Sequence, residues 1–335
     1  MIKSVVSHGI YIPFLRITRE EYINTLGSCN ADIKEKAVMD IDEDVLTMAV
    51  EAARNASTEI DISQIGVLTL ASATFPYAER VMTGTIIQAL GLNKNILTSQ
   101  HGNSTLAGTE AFLSALGLME ETEAKYALVI ISDAPAAEAS SDMDHGFGAA
   151  ACAFVLAKAE PGLRFEGTYA YSDEVPGLRY RLPGDKGVRD IGVRSYSAMA
   201  HDDTMQASVQ ELFNKMHRTP GDYQHVVLHQ TSQKTAGALA KKLGFSDGQI
   251  KIGLVYDQFG DTGSCSPFIG LCHVLENAGK GAKIMICSYS PGSGSHALSF
   301  DYDNQFPDSS KKLQYFLNHK KYISYIHYLK IKKVI

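Results

Sequence analysis

Apolar and polar residues alternate along this chain with two different periods. In residues 44–56 the apolar side chains are spaced as on one face of a helix, which predicts an amphipathic helix. The run at residues 65–70 that follows is short and apolar, as in a strand. The segment YALVIIS at residues 126–132 is apolar throughout, which is typical of a strand whose sheet is covered on both faces. These patterns predict a layered α/β fold.

The alternation continues to about residue 300. Further apolar segments lie at residues 85–90 and 105–119, helices are predicted at 236–243 and 266–278, and strands are predicted at 151–156, 226–229, 283–288 and 296–300. The second half of the chain therefore repeats the order of elements found in the first.

Short landmarks support a duplication. Two dipeptides keep similar offsets, Leu-Gly at residues 90–91 and 243–244 and Ala-Lys at residues 124–125 and 282–283. Chance similarity between helix–strand units is the alternative. We expect two duplicated halves, residues 1–163 and 164–304, followed by a basic segment at residues 305–335.

The end of the chain differs in charge from the rest. Residues 311–335 contain seven lysines and no acidic residue, whereas the whole chain has a formal net charge of −6. Tyrosines are interleaved with these lysines. Two interpretations stay open at this point: a solvated terminal segment, or a docking surface for an acidic partner.

Composition narrows the classes of function. The acidic balance argues against a nucleic-acid-binding protein. The sequence contains no run of 18 apolar residues, so we predict no membrane-spanning segment and expect a cytoplasmic protein. The five cysteines form no C-x-x-C pair, so we expect neither a disulfide framework nor a metal site. Cys152, Cys272 and Cys287 lie in apolar runs and are predicted to be core residues.

The first polar stretch that could carry chemistry is QHGNSTLAGT at residues 100–109, between a predicted strand and a predicted helix. A side chain at the start of that helix faces its positive end, which favours an anion or a developing oxyanion. Ser104 or Thr105 is therefore a candidate nucleophile. Either side chain would also serve as a simple helix cap.

Three further stretches lie at strand ends or helix starts. His229 ends an apolar strand and is either a structural histidine or a base near neutral pH. Gly260 and Asp261 precede a helix start. Gly292 and Gly294 lie in a glycine turn, SPGSGSH, that permits close approach of a ligand to the backbone.

Together these pieces resemble the thiolase superfamily, in the branch shared by β-ketoacyl-carrier-protein synthase III and hydroxymethylglutaryl-CoA synthase. The archaeal-type synthases and the phloroglucinol acetyltransferase subunits are the most similar members. The motifs that carry the resemblance span the chain: GIYIPFLRI, DEDVLTMAVEAARNA, FPYAER, LAGTEAF, FGAAACAFVLAK, VLHQ, FGDTGSCSPFIGL and SYSPGSGSHALSF.

The resemblance implies a five-layered αβαβα fold of two similar halves and a dimer. It also implies acyl-thioester chemistry, in which a cysteine at a helix N-terminus is acylated and backbone N–H groups hold the thioester oxygen. The substrates would be coenzyme A thioesters or an acyl-carrier protein, and no bound cofactor is implied.

Carrying the motifs over residue by residue shows departures from the family pattern. The nucleophilic cysteine falls on Thr105, and the glutamate of the hydroxymethylglutaryl synthases falls on Ala73. His229 matches the family histidine. Asp261 stands in place of an asparagine, and His296 in place of an aspartate, while Gly292 and Gly294 fit the glycine loop.

Two functions follow from this pattern. The first is an acyltransferase or condensing-type enzyme of polyketide-like or other specialised metabolism, with Ser104 or Thr105 as nucleophile or with direct transfer. His229 would then be the base or donor, and His296 a second base. The second is a catalytically silent subunit that scaffolds a multi-subunit acyltransferase. Its partners would be a thiolase-fold homologue, as homodimer or heterodimer, a small zinc-ribbon/OB-fold protein, and an acyl-carrier protein.

Overall fold

Strands and helices alternate along the chain in the computed structural model, which describes residues 3–303, 306 and 311–335. Within these residues the strands are β1 (Lys3–Tyr11), β2 (Leu15–Thr18), β3 (Glu35–Val38), β4 (Ile65–Ser72), β5 (Leu97–Gly102), β6 (Tyr126–Asp133), β7 (Ala150–Lys158), β8 (Leu163–Ser172), β9 (His225–Leu228), β10 (Ala282–Ser290), β11 (Gly294–Tyr302) and β12 (Lys321–Tyr322). The helices are α1 (Arg19–Leu26), α2 (Val45–Ala56), α3 (Thr83–Leu90), α4 (Ala107–Leu118), α5 (Asp142–Gly146), α6 (Arg194–Met216), α7 (Gln233–Lys242), α8 (Asp247–Ile250), α9 (Tyr256–Phe259), α10 (Ser266–Leu275), α11 (Leu313–Asn318) and α12 (Tyr325–Ile331).

A large sheet runs through the molecule. Among the described residues it has nine strands, in the order β5-β4-β6-β7-β1-β8-β11-β10-β9, and a second sheet has the order β12-β2-β3. From β1 outward, β7 and β6 are each antiparallel to the preceding strand and β4 is parallel to β6. From β8 outward, β11 and β10 are antiparallel and β9 is parallel to β10. The two arms of the sheet therefore share one order of pairings.

This shared order supports the predicted duplication. The boundaries of the two halves, residues 1–163 and 164–304, stay a prediction. Residues 304 and 305, where the third segment was expected to begin, lie outside the described residues.

Alternate side chains of each strand face different helices, which builds the layers. On β6, Ile130 packs in a cluster with α2, whereas Ile131 packs in a cluster with α4 and α10. On β10, Ile286 belongs to that same central cluster, whereas Met285 packs against α6. Helices α4 and α10 thus lie between the two arms of the sheet, and α2 and α6 cover the outer faces. The expected α/β fold with five layers is confirmed.

The sequence patterns placed the long apolar strands well and some helix ends poorly. The apolar segment at residues 105–119 forms a helix only from Ala107, and the helix expected at 266–278 ends at Leu275. Helix α6 was missed. It buries His201, Thr204 and Ser208 among its apolar residues, so its buried face has no continuous apolar stripe in the sequence.

The basic terminal segment folds back onto its own chain. Strand β12 pairs with β2, and the Tyr328 ring is buried in a small core beneath it. Lys320 Nζ lies 2.7 Å from Glu35 Oε1, and Lys332 Nζ lies 2.8 Å from Asp144 Oδ1. The docking surface for an acidic partner stays a prediction, because Lys321, Lys330 and Lys333 are exposed; the solvated segment is wrong for the side chains of Lys320, Tyr328 and Lys332. They are used to hold the segment in place.

The five cysteines are free thiols and all of them are buried. Within the described residues, no helix has the length and apolar character needed to cross a bilayer. In the same part of the chain, no group of three or more His, Cys, Asp or Glu side chains is arranged to hold a metal ion.

Candidate functional site

Two cavities open beside the loop that joins β8 to α6. Cavity A has a volume of about 650 Å³ and is walled by α5, the first turns of α6, and the segment after β9. Cavity B has a volume of about 690 Å³ and is walled by the turn before α4 and the glycine turn after β10. Both lie where strands end and helices begin, which is where open α/β sheets usually bind ligands.

Ser104 and Thr105 both line cavity B, in the turn between β5 and α4. Ser104 Oγ accepts a hydrogen bond from Leu106 N at 3.0 Å and donates one to Ser290 Oγ at 3.1 Å. Thr105 Oγ1 donates to the carbonyl of Tyr289 at 2.6 Å. Ser104 Oγ thus closes a turn before the helix, whose N-cap Leu106 makes no side-chain capping bond, whereas the Thr105 hydroxyl binds the backbone of β10.

His229 follows β9 and is completely buried. Among the described residues neither ring nitrogen has a hydrogen-bond partner, and Nε2 lies 4.0 Å from Asp261 Oδ1. The ring of Tyr289 stands edge-on to the imidazole at 6.4 Å between centroids. Burial lowers the pKa of His229 to about 4, against the pull of Asp261. The imidazole is therefore neutral at pH 7 and keeps an available lone pair.

Asp261 lines cavity A and carries the nearest carboxylate to that imidazole. Its Oδ2 accepts a hydrogen bond from Arg179 Nη1 at 2.6 Å, and its Oδ1 accepts one from Gly263 N at 2.8 Å. Gly260 lines neither cavity A nor cavity B. With φ +81, its Cα approaches the backbone so closely that a Cβ would lie 2.6 Å from the carbonyl oxygen of Gly146. Gly260 therefore serves the close packing of the loop that presents Asp261.

The glycine turn contributes only in part. Gly292 lines cavity B, where it has φ +81. Gly294 begins β11 and pairs with the backbone of Ser172, outside the lining of both cavities. His296 pairs with Ser288 on the neighbouring strand and is likewise absent from both linings. The geometry does not bring Gly294 or His296 to either cavity.

Sequence reasoning missed three residues that face the cavities. Arg179 lines both cavities, and Tyr289 and His201 line cavity A. His201 Nδ1 lies 3.0 Å from Asp202 Oδ1. Arg179 comes from an irregular loop without periodicity, and His201 lies in the helix that was not predicted. A cluster of charged residues in the loop was the one available signal for Arg179.

Known proteins share this architecture along its whole length. Residues 213–302 match the family described as 3-oxoacyl-[acyl-carrier-protein] synthase III C terminal. The hydroxymethylglutaryl-CoA synthase of Methanocaldococcus jannaschii is 33% identical over 342 residues, which cover 99% of both chains. A solved HMG-CoA synthase complexed with CoA has a TM-score of 0.89 at 18% identity, covering 98% of this chain and 90% of that one. An HMG synthase of the curacin biosynthetic pathway, in complex with holo donor-ACP, has a TM-score of 0.86 at 17% identity, covering 99% and 88%.

The fold is therefore that of the thiolase-like condensing enzymes, in the branch that contains ketoacyl synthase III and HMG-CoA synthase. Within this branch, the chain belongs to the hydroxymethylglutaryl-CoA synthase family. Its relatives in that family are acyl-thioester condensing enzymes.

Proposed function

We propose that this protein binds an acyl thioester in cavity A and transfers or condenses the acyl group with an atypical active site. The donor is a coenzyme A thioester or an acyl-carrier protein, as in the relatives complexed with CoA and with holo donor-ACP. No cofactor is needed for this chemistry. The observation that carries the proposal is the neutral imidazole of His229, which lines neither cavity itself but lies 4.0 Å from Asp261 in the wall of cavity A and has no hydrogen-bond partner among the described residues.

The role of His229 follows from its protonation state. A neutral imidazole donates one hydrogen bond to a thioester carbonyl, whose oxygen becomes negative as a nucleophile adds. Alternatively, it takes the proton of the attacking hydroxyl and returns it to the thiolate that leaves. Both actions require an imidazole that is neutral at pH 7, and the lowered pKa of His229 ensures that it is.

The nucleophile we propose is the Thr105 hydroxyl. The neighbouring Ser104 hydroxyl is a second candidate. Without a nucleophile on the protein, the acyl group would pass directly to an acceptor. Thr105 occupies the position that the resemblance assigns to the family cysteine. Its Oγ1 would have to leave the carbonyl of Tyr289 to attack, and a thioester in cavity A would reach it only past Arg179, because Thr105 lines cavity B. An ester to Thr105 would then form as the thioester bond breaks, and the thiol would leave with the proton held by His229.

A specific observation also favours the second candidate, a catalytically silent subunit. The Thr105 hydroxyl is bonded to a backbone carbonyl and Asp261 is bonded to Arg179, so neither group is poised toward His229. In that case the chain would support an active thiolase-fold homologue, with a small zinc-ribbon/OB-fold protein in the same complex. Lys320 and Lys332 are held by Glu35 and Asp144, so these two lysines are not available to dock such a protein.

We also propose a dimer through the β5 edge. Among the described residues β5 is the last strand on its side of the sheet, and Leu97 on it is exposed. Tyr77 and Val81, which precede α3, are exposed by 51% and 66%. An open strand edge beside exposed apolar side chains favours pairing with another chain. A second copy or a thiolase-fold homologue would fit; light scattering of the purified protein distinguishes them.

Intact-mass measurement separates the two candidate functions. The protein is incubated with acetyl-CoA and longer acyl-CoAs, and thiol release is followed in parallel. An enzyme gains the mass of the acyl group or releases coenzyme A, and Thr105→Ala or His229→Ala abolishes the effect. No adduct and no thioester turnover, alone or with candidate partner proteins, would refute the enzyme and leave the silent subunit.

A further inference from the structure

Arg179 lies where cavities A and B meet. The two cavities share three lining residues, which are Leu178, Arg179 and Pro291. Asp261 lines cavity A only, and Thr105 lines cavity B only. These three residues therefore form the boundary between the carboxylate beside His229 and the hydroxyl of Thr105, and Arg179 is the charged one among them.

The guanidinium is fixed from two sides. Its Nη1 donates to Asp261 Oδ2 at 2.6 Å, and its central carbon lies 4.8 Å from the centre of the Phe147 ring. The side chains of Arg179 and Asp261 are only 11% and 4% exposed, so solvent screens their attraction weakly. A charge-assisted bond and a cation–π contact together hold the arginine in one position.

The partner of the arginine is fixed as well. Asp261 N donates to the carbonyl of Gly146 at 2.7 Å, and Asp261 O accepts from Gly148 N at 2.9 Å. The remaining carboxylate oxygen of Asp261 is held by Gly263 N. The aspartate is therefore anchored to the segment that joins α5 to β7, and it holds the arginine against that segment.

The backbone of Arg179 adopts a conformation that L side chains rarely adopt, with φ +33. Backbone strain of this kind persists only where surrounding contacts enforce it, and it clusters at ligand clamps and switch regions. Here the loop is closed by Tyr180 N donating to Arg189 O at 3.0 Å and Arg189 N donating to Tyr180 O at 2.7 Å. The loop thus aims one charged side chain into the boundary between the cavities.

We propose that the ion pair of Arg179 and Asp261 is a partition that closes the passage between cavity A and cavity B and limits the length of the acyl group that cavity A accepts. This inference rests on the proposed thioester site in cavity A. In the closed state an acyl group in cavity A reaches Asp261 and stops at the guanidinium. Access to Thr105 from cavity A requires that Arg179 moves or is removed.

The direct test is binding of acyl-CoAs of increasing chain length, from acetyl to dodecanoyl, measured by isothermal titration calorimetry. For the wild-type protein the affinity stops rising with chain length once cavity A is filled. Arg179→Ala opens the passage, so the affinity keeps rising and the longest chain binds about tenfold more tightly than to the wild type, from added apolar burial. Arg189→Ala is the matched control, because Arg189 pairs with Asp185 in the same loop and lines neither cavity.

An identical chain-length profile for the wild type and Arg179→Ala overturns the partition. Binding of coenzyme A without an acyl group tests the proposed thioester site separately from the partition. If coenzyme A binds to neither the wild type nor a variant, the proposed thioester site is refuted. In that event the coupling between Arg179 and Asp261, on which the partition depends, is judged by a double-mutant cycle of Arg179→Met and Asp261→Asn in urea unfolding. Destabilisations that fall short of additivity support the ion pair, and fully additive destabilisations refute it.

Discussion

Tyr328→Phe removes one hydroxyl from the contact that locks the terminal segment onto the protein. The Tyr328 hydroxyl donates to Asp144 Oδ1 at 2.6 Å and accepts from Lys36 Nζ at 3.1 Å. Asp144 and Lys36 are both buried to about 1% exposure. Burial lowers the pKa of Lys36 to about 8, so its ammonium depends on the few partners around it.

The expected cost follows from the charge of the two partners. A hydrogen bond to a charged group contributes about 1.5–3 kcal/mol, and its loss leaves a buried charge less well satisfied. Lys332 stays on Asp144, and the Lys36 ammonium stays on the Asp144 carbonyl, so the charges keep some of their partners. We therefore expect Tyr328→Phe to lower the free energy of unfolding by about 2–4 kcal/mol.

Urea unfolding followed by far-ultraviolet circular dichroism measures this change. Tyr322→Phe is the matched control, because its hydroxyl also donates to a carboxylate, Glu35 Oε2 at 2.8 Å, but its side chain is 55% exposed. The control should cost less than about 1 kcal/mol. If Tyr328→Phe costs no more than Tyr322→Phe, the terminal segment is not held as we describe.

Three further predictions concern the core and the site. Gly108→Ala should lower the free energy of unfolding in urea by about 1–3 kcal/mol, because the added Cβ would lie 2.7 Å from a backbone carbonyl oxygen. Gly84→Ala is the control and should cause no loss, because nothing lies within 4 Å of its added Cβ. Equal losses in the two variants would contradict the packing described around α4. His229 takes up protons in the unfolded state below pH 6.5 but in the folded state only near pH 4, so stability is lost as pH falls through this window. His229→Gln should therefore be more favourable for the free energy of unfolding at pH 4 than at pH 7, by up to about 3 kcal/mol. If the variant and the wild type lose stability equally between pH 7 and pH 4, the buried neutral imidazole is contradicted. Thr105→Cys should form an acyl-enzyme adduct in intact-mass measurements, because a helix N-terminus favours the thiolate. The adduct should form about tenfold faster when Thr105→Cys is combined with Arg179→Ala, because the passage is then open. Equal rates in the single and double variants would argue against the partition.

The parts of the fold that the sequence predicted are those with local signals. Ile131 lies in an uninterrupted apolar run, and α2 has a clean apolar face with Asp44 as its cap, so both elements are visible in a single window. Helix α6 is different because it buries polar side chains such as Ser208, which bonds to Ser295 of β11 at 2.7 Å. Such a face is recognisable only once the partner strand is in place.

The site was predicted in part for the same reason. Thr105 and His229 stand next to strand ends, where polar residues after apolar runs are a usable signal. The salt bridge of Arg179 to Asp261 spans 82 residues, and a contact of that range leaves no trace in local spacing. The contacts of Lys320 and Lys332 could not be predicted because their partners, Glu35 and Asp144, lie far away in the chain.

The most direct test of the proposed function is a crystal structure with a non-hydrolysable acyl-CoA analogue in which a methylene group replaces the thioester sulfur. We expect the pantetheine arm in cavity A and the acyl carbonyl oxygen within hydrogen-bond distance of His229 Nε2, with Arg179 still on Asp261. A bound analogue whose carbonyl lies away from His229, or an analogue that does not bind at millimolar concentration, would contradict the account.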